Sequence, residues 1–404
     1  MNTCFNTLLV GLLLSTTLSA SAQKDVDKDA LQYDPYTRNE RVAMEEAGYR
    51  KIGVMPWADG HTTQTIDRSL GGVPILWLET EHFRIGCSLS SYTPNKSDPM
   101  ERKKLKAELK ELREILPNVP RKVKQFDPWL RMHLTAMRAE NLYAQMEEIL
   151  NIGEDDFPDP SSKISDRETT LGPYLGMQNK FAILLTDKKS TLERYQATFC
   201  SYRAHGSMMY YFPDDEVLIF GVAAEFDGMG SDTAMHCMMN YGLTINLLNG
   251  YLAFRHSMPA WLSLGLAHSN ARQIDHKRNY FNEQRAFDST DKKIWDWEVR
   301  VRGRVKNEAD PTFAVITGWA DHPSLSFTDG MIAWARVDYL RREHPKKFAE
   351  FLRAVKAPFP AGVEVTPERL QIHQIDVFSA TMGMTSEEFD TIWRAWVLKN
   401  YRKK

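Results

Sequence analysis

The order of hydrophobic patterns constrains this chain's fold most. The clear strand runs lie before residue 231, and the chain after it is mostly helical in pattern. "KFAILLT" (180–186) reads as a buried strand, and "SMMYYF" (207–212) with "EVLIFGVA" (216–223) as a hairpin broken at Pro213-Asp214-Asp215. Upstream, "VPILWLETEHFRIGCSL" (73–89) reads as two short strands or one bent strand. From 231 onward, one helix is expected over about 232–250 and another with Pro259 in its first turn. A third starts near Thr328 and ends before His344-Pro345, and a fourth covers 346–356. The last opens on a Thr385–Glu388 capping box and buries Phe389, Ile392, Trp393, Trp396 and Val397. Strands first and helices after is an α+β order, and 404 residues suffice for a full-sized core.

Two features interrupt that order. Over 100–152 the sequence predicts a helical hairpin. Ser97 can cap its first helix, and Leu105, Leu109, Leu112 and Leu116 form an apolar stripe. The alternating charges of "KKLKAELKELRE" read as a solvated face. Pro117 and Pro120 end this helix, and Asp127-Pro128 starts the next, which runs through Leu130, Leu134, Met137, Tyr143, Met146 and Leu150. Residues 154–175 read as an exposed loop, and 23–74 as a polar, loosely packed lead-in.

The first 22 residues carry no charged side chain and end Ala20-Ser21-Ala22 after an apolar run from Leu8 to Leu14. This is a secretory-signal pattern, so the protein is expected to be exported, to a periplasmic or extracellular location. No later segment is long and apolar enough to span a membrane. The expected mature chain keeps Cys87, Cys200 and Cys237, which permit at most one disulfide and leave its pairing open. A net charge of −2 argues against a nucleic-acid partner.

Chemistry concentrates in "DTAMHCMMNYGL" (232–243), where His236 and Asn240 stand one helical turn apart. A helical zinc hydrolase needs two His at i and i+4, a Glu beside the first as base, and a third ligand from elsewhere. The next helix begins "MPAWLSLGLAHSNAR" (258–272). Pro259, Ala260, Trp261, Leu262, Gly265, Leu266 and Ala267 resemble the P-A-W-L-x-E-G-L-A helix that follows the HExxH helix in gluzincin-type, peptidase-MA-like zinc metallopeptidases. Glu79 to Ile85, "MIAWARVDYLRREHPKKFAEFLRAV" and "MGMTSEEFDTIWRAWV" extend the resemblance in order across about 75–400.

The resemblance implies a zincin-like fold: a small sheet in a mixed part over 75–230, then a helical part over 231–404 carrying the motif. It also marks the departures. Cys237 stands at the base, Asn240 at the second His and Leu264 at the third ligand. With one ligand of three left, the expectation is an exported, catalytically silent relative, a pseudopeptidase with no catalytic residue, metal or cofactor. Its cleft would bind an unknown peptide, protein or glycan, or serve as a structural part. The groove would run between the 232–250 helix and the strands before it, with His236, Cys237, Asn240, Trp261 and His268 as cleft candidates.

Other readings compete. An active secreted hydrolase could use a rearranged zinc or thiol site built from His236, Cys237 and His268. Neighbouring helix residues point about 100° apart, which counts against one metal sharing His236 and Cys237. Cys237 lies near a helix N-terminus, which lowers a thiol pKa, and Asn240 and His268 complete a Cys–His–Asn set. A purely structural envelope protein would bind neither metal nor ligand. Trp261, Trp334, Trp393 and Trp396 fall at core spacing, Met235, Met238 and Met239 read as core filler, and Trp295 and Trp297, alternating in "KKIWDWEVRV" on a strand or loop, are candidates for an exposed aromatic contact.

Overall fold

The structure, a computed structural model, describes residues 31–153, 156–157, 171–202, 206–278, 294–320, 324–360 and 362–403. The signal segment lies outside these residues, as do most of the 154–175 loop and part of 275–325.

Eight strands are described: β1 (Lys51–Ile52), β2 (Pro56–Ala58), β3 (His61–Thr62), β4 (Leu76–Glu79), β5 (Phe83–Cys87), β6 (Phe181–Thr186), β7 (Met208–Phe212) and β8 (Val217–Ala223). Six form one sheet in the order β1-β4-β5-β6-β8-β7, and β2 and β3 form a separate ribbon. β5, β6 and β8 run parallel, with Ile85 opposite Ile183 and Ile183 opposite Phe220, while β7 pairs antiparallel at one edge. β6 and β8 are buried along their whole length, as their unbroken apolar runs require of parallel strands covered on both faces.

Successive side chains of β6 feed two different cores. Phe181, Ile183 and Leu185 join the larger cluster, under the helices, and Ala182 and Leu184 join a smaller one. The smaller core is closed by Met55, Trp57, Ile66, Leu70, Leu192 and Tyr195. The Trp57 indole N–H donates to Tyr195 Oη at 2.8 Å, and Trp57 packs edge-on against Trp77. Residues 31–74 are therefore the cover of the sheet's second face, where a loose lead-in was expected. Their apolar residues sit in elements of two to seven residues, too short to show a period.

The helices are α1 (Arg41–Glu46), α2 (Thr63–Ser69), α3 (Pro99–Ile115), α4 (Pro128–Leu150), α5 (Lys189–Phe199), α6 (Asp232–Gly250), α7 (Ala260–Ile274), α8 (Trp297–Lys306), α9 (Phe313–Thr317), α10 (Phe327–Glu343), α11 (Pro345–Lys356), α12 (Pro367–Met382) and α13 (Ser386–Asn400). The chain is thus mixed α/β, and no strand follows residue 231 among the described residues. The hairpin forms as α3 and α4, although Asp98 caps α3 in place of Ser97, because its carboxylate receives the N–H groups of Met100 and Glu101. The Thr385–Glu388 capping box of α13 is present.

α6 lies on the sheet, and Gly242 permits the approach: a Cβ there would sit 2.2 Å from the Phe220 ring. α7 packs between α6 and α10, and a Cβ at Gly265 would meet Val337 Cγ2 at 2.5 Å and the Ala333 carbonyl oxygen at 2.7 Å. Among the described residues no helix is long and apolar enough to cross a membrane.

Candidate functional site

α6 starts where Ser231 caps it, its hydroxyl accepting from the Ala234 N–H at 3.1 Å. α3 adds a second cap: Glu101 accepts from the Thr233 N–H at 3.2 Å and from the Tyr92 hydroxyl at 2.8 Å. The first two turns of α6 then face a charge cluster supplied by the helical hairpin. The buried Arg138 guanidinium of α4 grips Asp232 with two bonds, at 3.1 and 2.6 Å. Its Nε and Nη2 grip Glu108 of α3 at 3.1 and 2.6 Å. Glu108 in turn places Oε1 3.2 Å from His236 Nδ1, short of full hydrogen-bond alignment, and Lys104 Nζ lies 4.0 Å from the same oxygen.

The electrostatics follow from this packing. Arg138 holds Glu108 and Asp232 below the usual carboxylate range against the opposing effect of burial. Burial, reinforced by Arg138, pushes His236 down to about 3, so its imidazole is neutral at pH 7. Burial also pushes the Lys104 ammonium down. Cys237 is fully enclosed, and burial drives its thiol up to about 12, the reverse of an activated nucleophile.

These surroundings do not suit zinc. The carboxylate nearest His236, Glu108, is already held through both oxygens by Arg138. Cys237 keeps its proton, and Leu264 is a buried hydrocarbon. Asn240 is buried with its side-chain oxygen unpartnered among the described residues, and it offers only a neutral donor. His268 packs its ring between Tyr241 and Trp297, with centroids at 5.0 and 4.9 Å. Among the described residues no three His, Cys, Asp or Glu side chains are placed to hold a metal ion.

Trp261, expected in the cleft, and Trp297, expected as an exposed aromatic contact, are both buried. Trp261 is sealed in the core below α7: its indole N–H donates to Gln374 of α12 at 2.9 Å and its ring meets Phe313 of α9 edge-on. Trp297 is a fully buried residue of α8, where strand or loop exposure was expected. Trp295 lies just outside that helix, within 5.6 Å of Lys277 Nζ. A cavity lies beside the start of α6. It encloses about 580 Å³ between the start of α3, the start of α6 and the segment after α7, with Glu101, Lys104, Thr233, Arg272, Asp275 and Arg278 on its wall. Cys87, Cys200 and Cys237 are buried and unpaired among the described residues.

Glu108, Arg138, Asp232 and Lys104 escaped the reading of the sequence. One signal pointed to them: Arg131, His133 and Arg138 sit in the otherwise apolar stretch "WLRMHLTAMRAENLY". His133 bridges Tyr49 and Asp34 at 2.8 and 3.0 Å, fully enclosed. That buried trio ties the N-terminal segment to α4, and none of its residues lines a described cavity. Comparison with family models, with curated proteins and with solved structures found no match to this chain.

Proposed function

We propose that this chain is an exported, catalytically silent relative of gluzincin-type zinc peptidases, kept as a binding or structural protein with a zincin-like fold. One observation carries the reading. Where the motif calls for a base and two further ligands, the helix carries Cys237, Asn240 and, from α7, Leu264, while His236 faces the Glu108–Arg138–Asp232 cluster. A catalytic zinc needs three protein ligands and an open position for water. Here one imidazole remains, and the carboxylate beside it is already paired with Arg138. The lost general base alone is worth roughly 10²–10⁴ in rate.

The thiol alternative loses support from the same geometry, since Cys237 is buried and protonated at neutral pH. A binding role is favoured over a purely envelope role by the 580 Å³ cavity beside α6, whose wall mixes charged and apolar groups. Elemental analysis of the purified chain after incubation with excess zinc and desalting tests the reading. The expected result is less than stoichiometric metal, unchanged in His236→Ala. One zinc per chain, lost on that substitution, would overturn it.

A further inference from the structure

A second cavity, of about 420 Å³, opens between the end of α7 and the end of α10. Arg272, Arg341, Arg342 and His276 line it, with Ser269, the Trp334 indole and a single carboxylate, Asp338. That carboxylate is already engaged on both oxygens: Oδ1 lies 2.9 Å from Arg342 Nε, and Oδ2 accepts from the Tyr401 hydroxyl at 2.9 Å. Two further carboxylates that act on Arg272, Asp296 and Glu298, are held by Arg402 at 2.8 and 3.0 Å.

Arg272 and Arg341 are thus left without an ion-pair partner among the described residues, although neither is freely solvated. Arg272 lies over the rings of Trp297 and Trp334 at 4.4 and 4.7 Å, and its Nη1 donates to the carbonyls of His276 and Trp295 at 3.1 and 3.5 Å. Arg341 donates through Nη1 to Ser269 Oγ at 2.7 Å and Asn270 Oδ1 at 3.3 Å. In both, Nε and Nη2 have no acceptor among the described residues. Burial lowers the pKa of both guanidiniums, Arg272 to about 10. Two part-desolvated cations fixed on separate helices, each with donors to spare, form an arrangement that an anion completes.

We propose that this cavity binds a phosphate monoester, its phosphoryl oxygens bridging Arg272 and Arg341 and its organic group filling the rest of the cavity beside Gln273 and His276. A phosphoryl group offers three strong acceptor oxygens where a carboxylate offers two, which suits two forks approaching from different helices. The cavity is also of a size that takes a small organic ligand. The site shares no residue with positions 236, 237, 240 and 264, so it stands whether or not the peptidase reading does.

Calorimetric titration of the full chain with glycerol 2-phosphate, inorganic phosphate and acetate at pH 7.5 tests the assignment. The expected order is glycerol 2-phosphate tightest, phosphate next and acetate weakest, with one site per chain. Arg272→Gln and Arg341→Gln should each weaken the monoester about tenfold or more, as loss of a charge-assisted pair of bonds implies. Arg341→Lys, which keeps the charge and loses the fork, should fall between them and the parent. Circular dichroism confirms that each variant is folded, and the lysine variant carries the test if a glutamine variant is not. No monoester binding by about 10 mM, a threshold of some 2.7 kcal/mol, would overturn the proposal. So would acetate binding as tightly, inorganic phosphate binding more tightly than the ester, or affinity unchanged in the folded variants.

Discussion

Arg138 shows how much one side chain decides at this site. It is the shared cation for two buried carboxylates contributed by different helices, Glu108 and Asp232. Replacing it by Met strands both, and breaking a buried pair in this way costs about 3–5 kcal/mol. Urea unfolding of Arg138→Met at pH 7 should show a loss of that size. The loss should shrink as pH falls, because the stranded carboxylates then take up protons. The sign follows from the pKa directions. Glu108 and Asp232 are depressed in the folded state, so their contribution is complete above the unfolded carboxylate range and is lost as pH falls through the folded values. His236 adds a separate slope. Its folded pKa of about 3 lies below the ordinary 6.5, so the unfolded chain binds the extra proton between those values. Stability from this group is complete above about pH 6.5 and declines toward pH 3. In His236→Gln, unfolding free energies measured across pH 4–6.5 should lose that proton's share of the slope; an unchanged slope would place the imidazole in water. The motif positions themselves were legible, because 236, 237 and 240 lie on one helix at a spacing the chemistry dictates. The cluster was not, since Arg138 and Asp232 meet across 94 residues and Glu108 sits in a charge run that looks solvated from composition alone.

Elements announced themselves where local chemistry fixes an end. Asp127-Pro128 and the Thr385–Glu388 box start α4 and α13 as read, and Pro259 directly precedes α7. α5, α8 and α12 went unread: each buries only two or three apolar side chains, too few to set a period. α12, for example, meets the core through Gln374, Phe378 and Met382. The glycines of the helices carry a sharper lesson. Gly265 sits in the part of α7 that carries the family resemblance, and its role in this structure is to let α7 reach α10. In Gly265→Ala the new methyl would meet Val337 Cγ2 at 2.5 Å and backbone at 2.7 Å, too close for side-chain adjustment alone. Overpacking of about 1–3 kcal/mol should exceed the ~1 kcal/mol of helix propensity gained. Gly303 of α8 is the opposite case, with nothing within 4 Å of the place a methyl would take. Gly303→Ala should therefore be neutral or stabilising by up to about 1 kcal/mol. Thermal melts of the two variants side by side check the contrast, and equal effects would refute the close α7–α10 contact.

At the scale of the whole molecule, the two cores share one sheet, each packed on its own face. Residues 31–74 supply Met55, Trp57, Ile66 and Leu70 to the smaller core, each almost wholly buried against Ala182, Leu184 and Ile219 of the central strands or their neighbours. The same segment hydrogen-bonds into the larger body through Asp34 and Tyr49 on His133, and through Tyr36 on Asp127 at the start of α4. Full burial of a large apolar side chain contributes about 1.5–3 kcal/mol. Four such side chains therefore rival the roughly 5–15 kcal/mol by which a domain is stable at all. A chain lacking residues 31–74 would leave α5 as the remaining helical cover on that face of β6 and β8, the two strands buried throughout. It would also leave His133 and Asp127 without their N-terminal partners. The expected outcome is a chain that no longer unfolds cooperatively, read as lost near-ultraviolet dichroism and a broadened urea transition compared with the full chain. In the full chain, tryptophan fluorescence and far-ultraviolet dichroism should trace one coincident transition, because Trp57 and Trp77 on one face report the same sheet that carries α6 on the other. A truncated chain that keeps a sharp transition at the parent's midpoint would return 31–74 to the loose lead-in its composition suggests, and would mean that α6 and the cluster around His236 stand without the far side of the sheet.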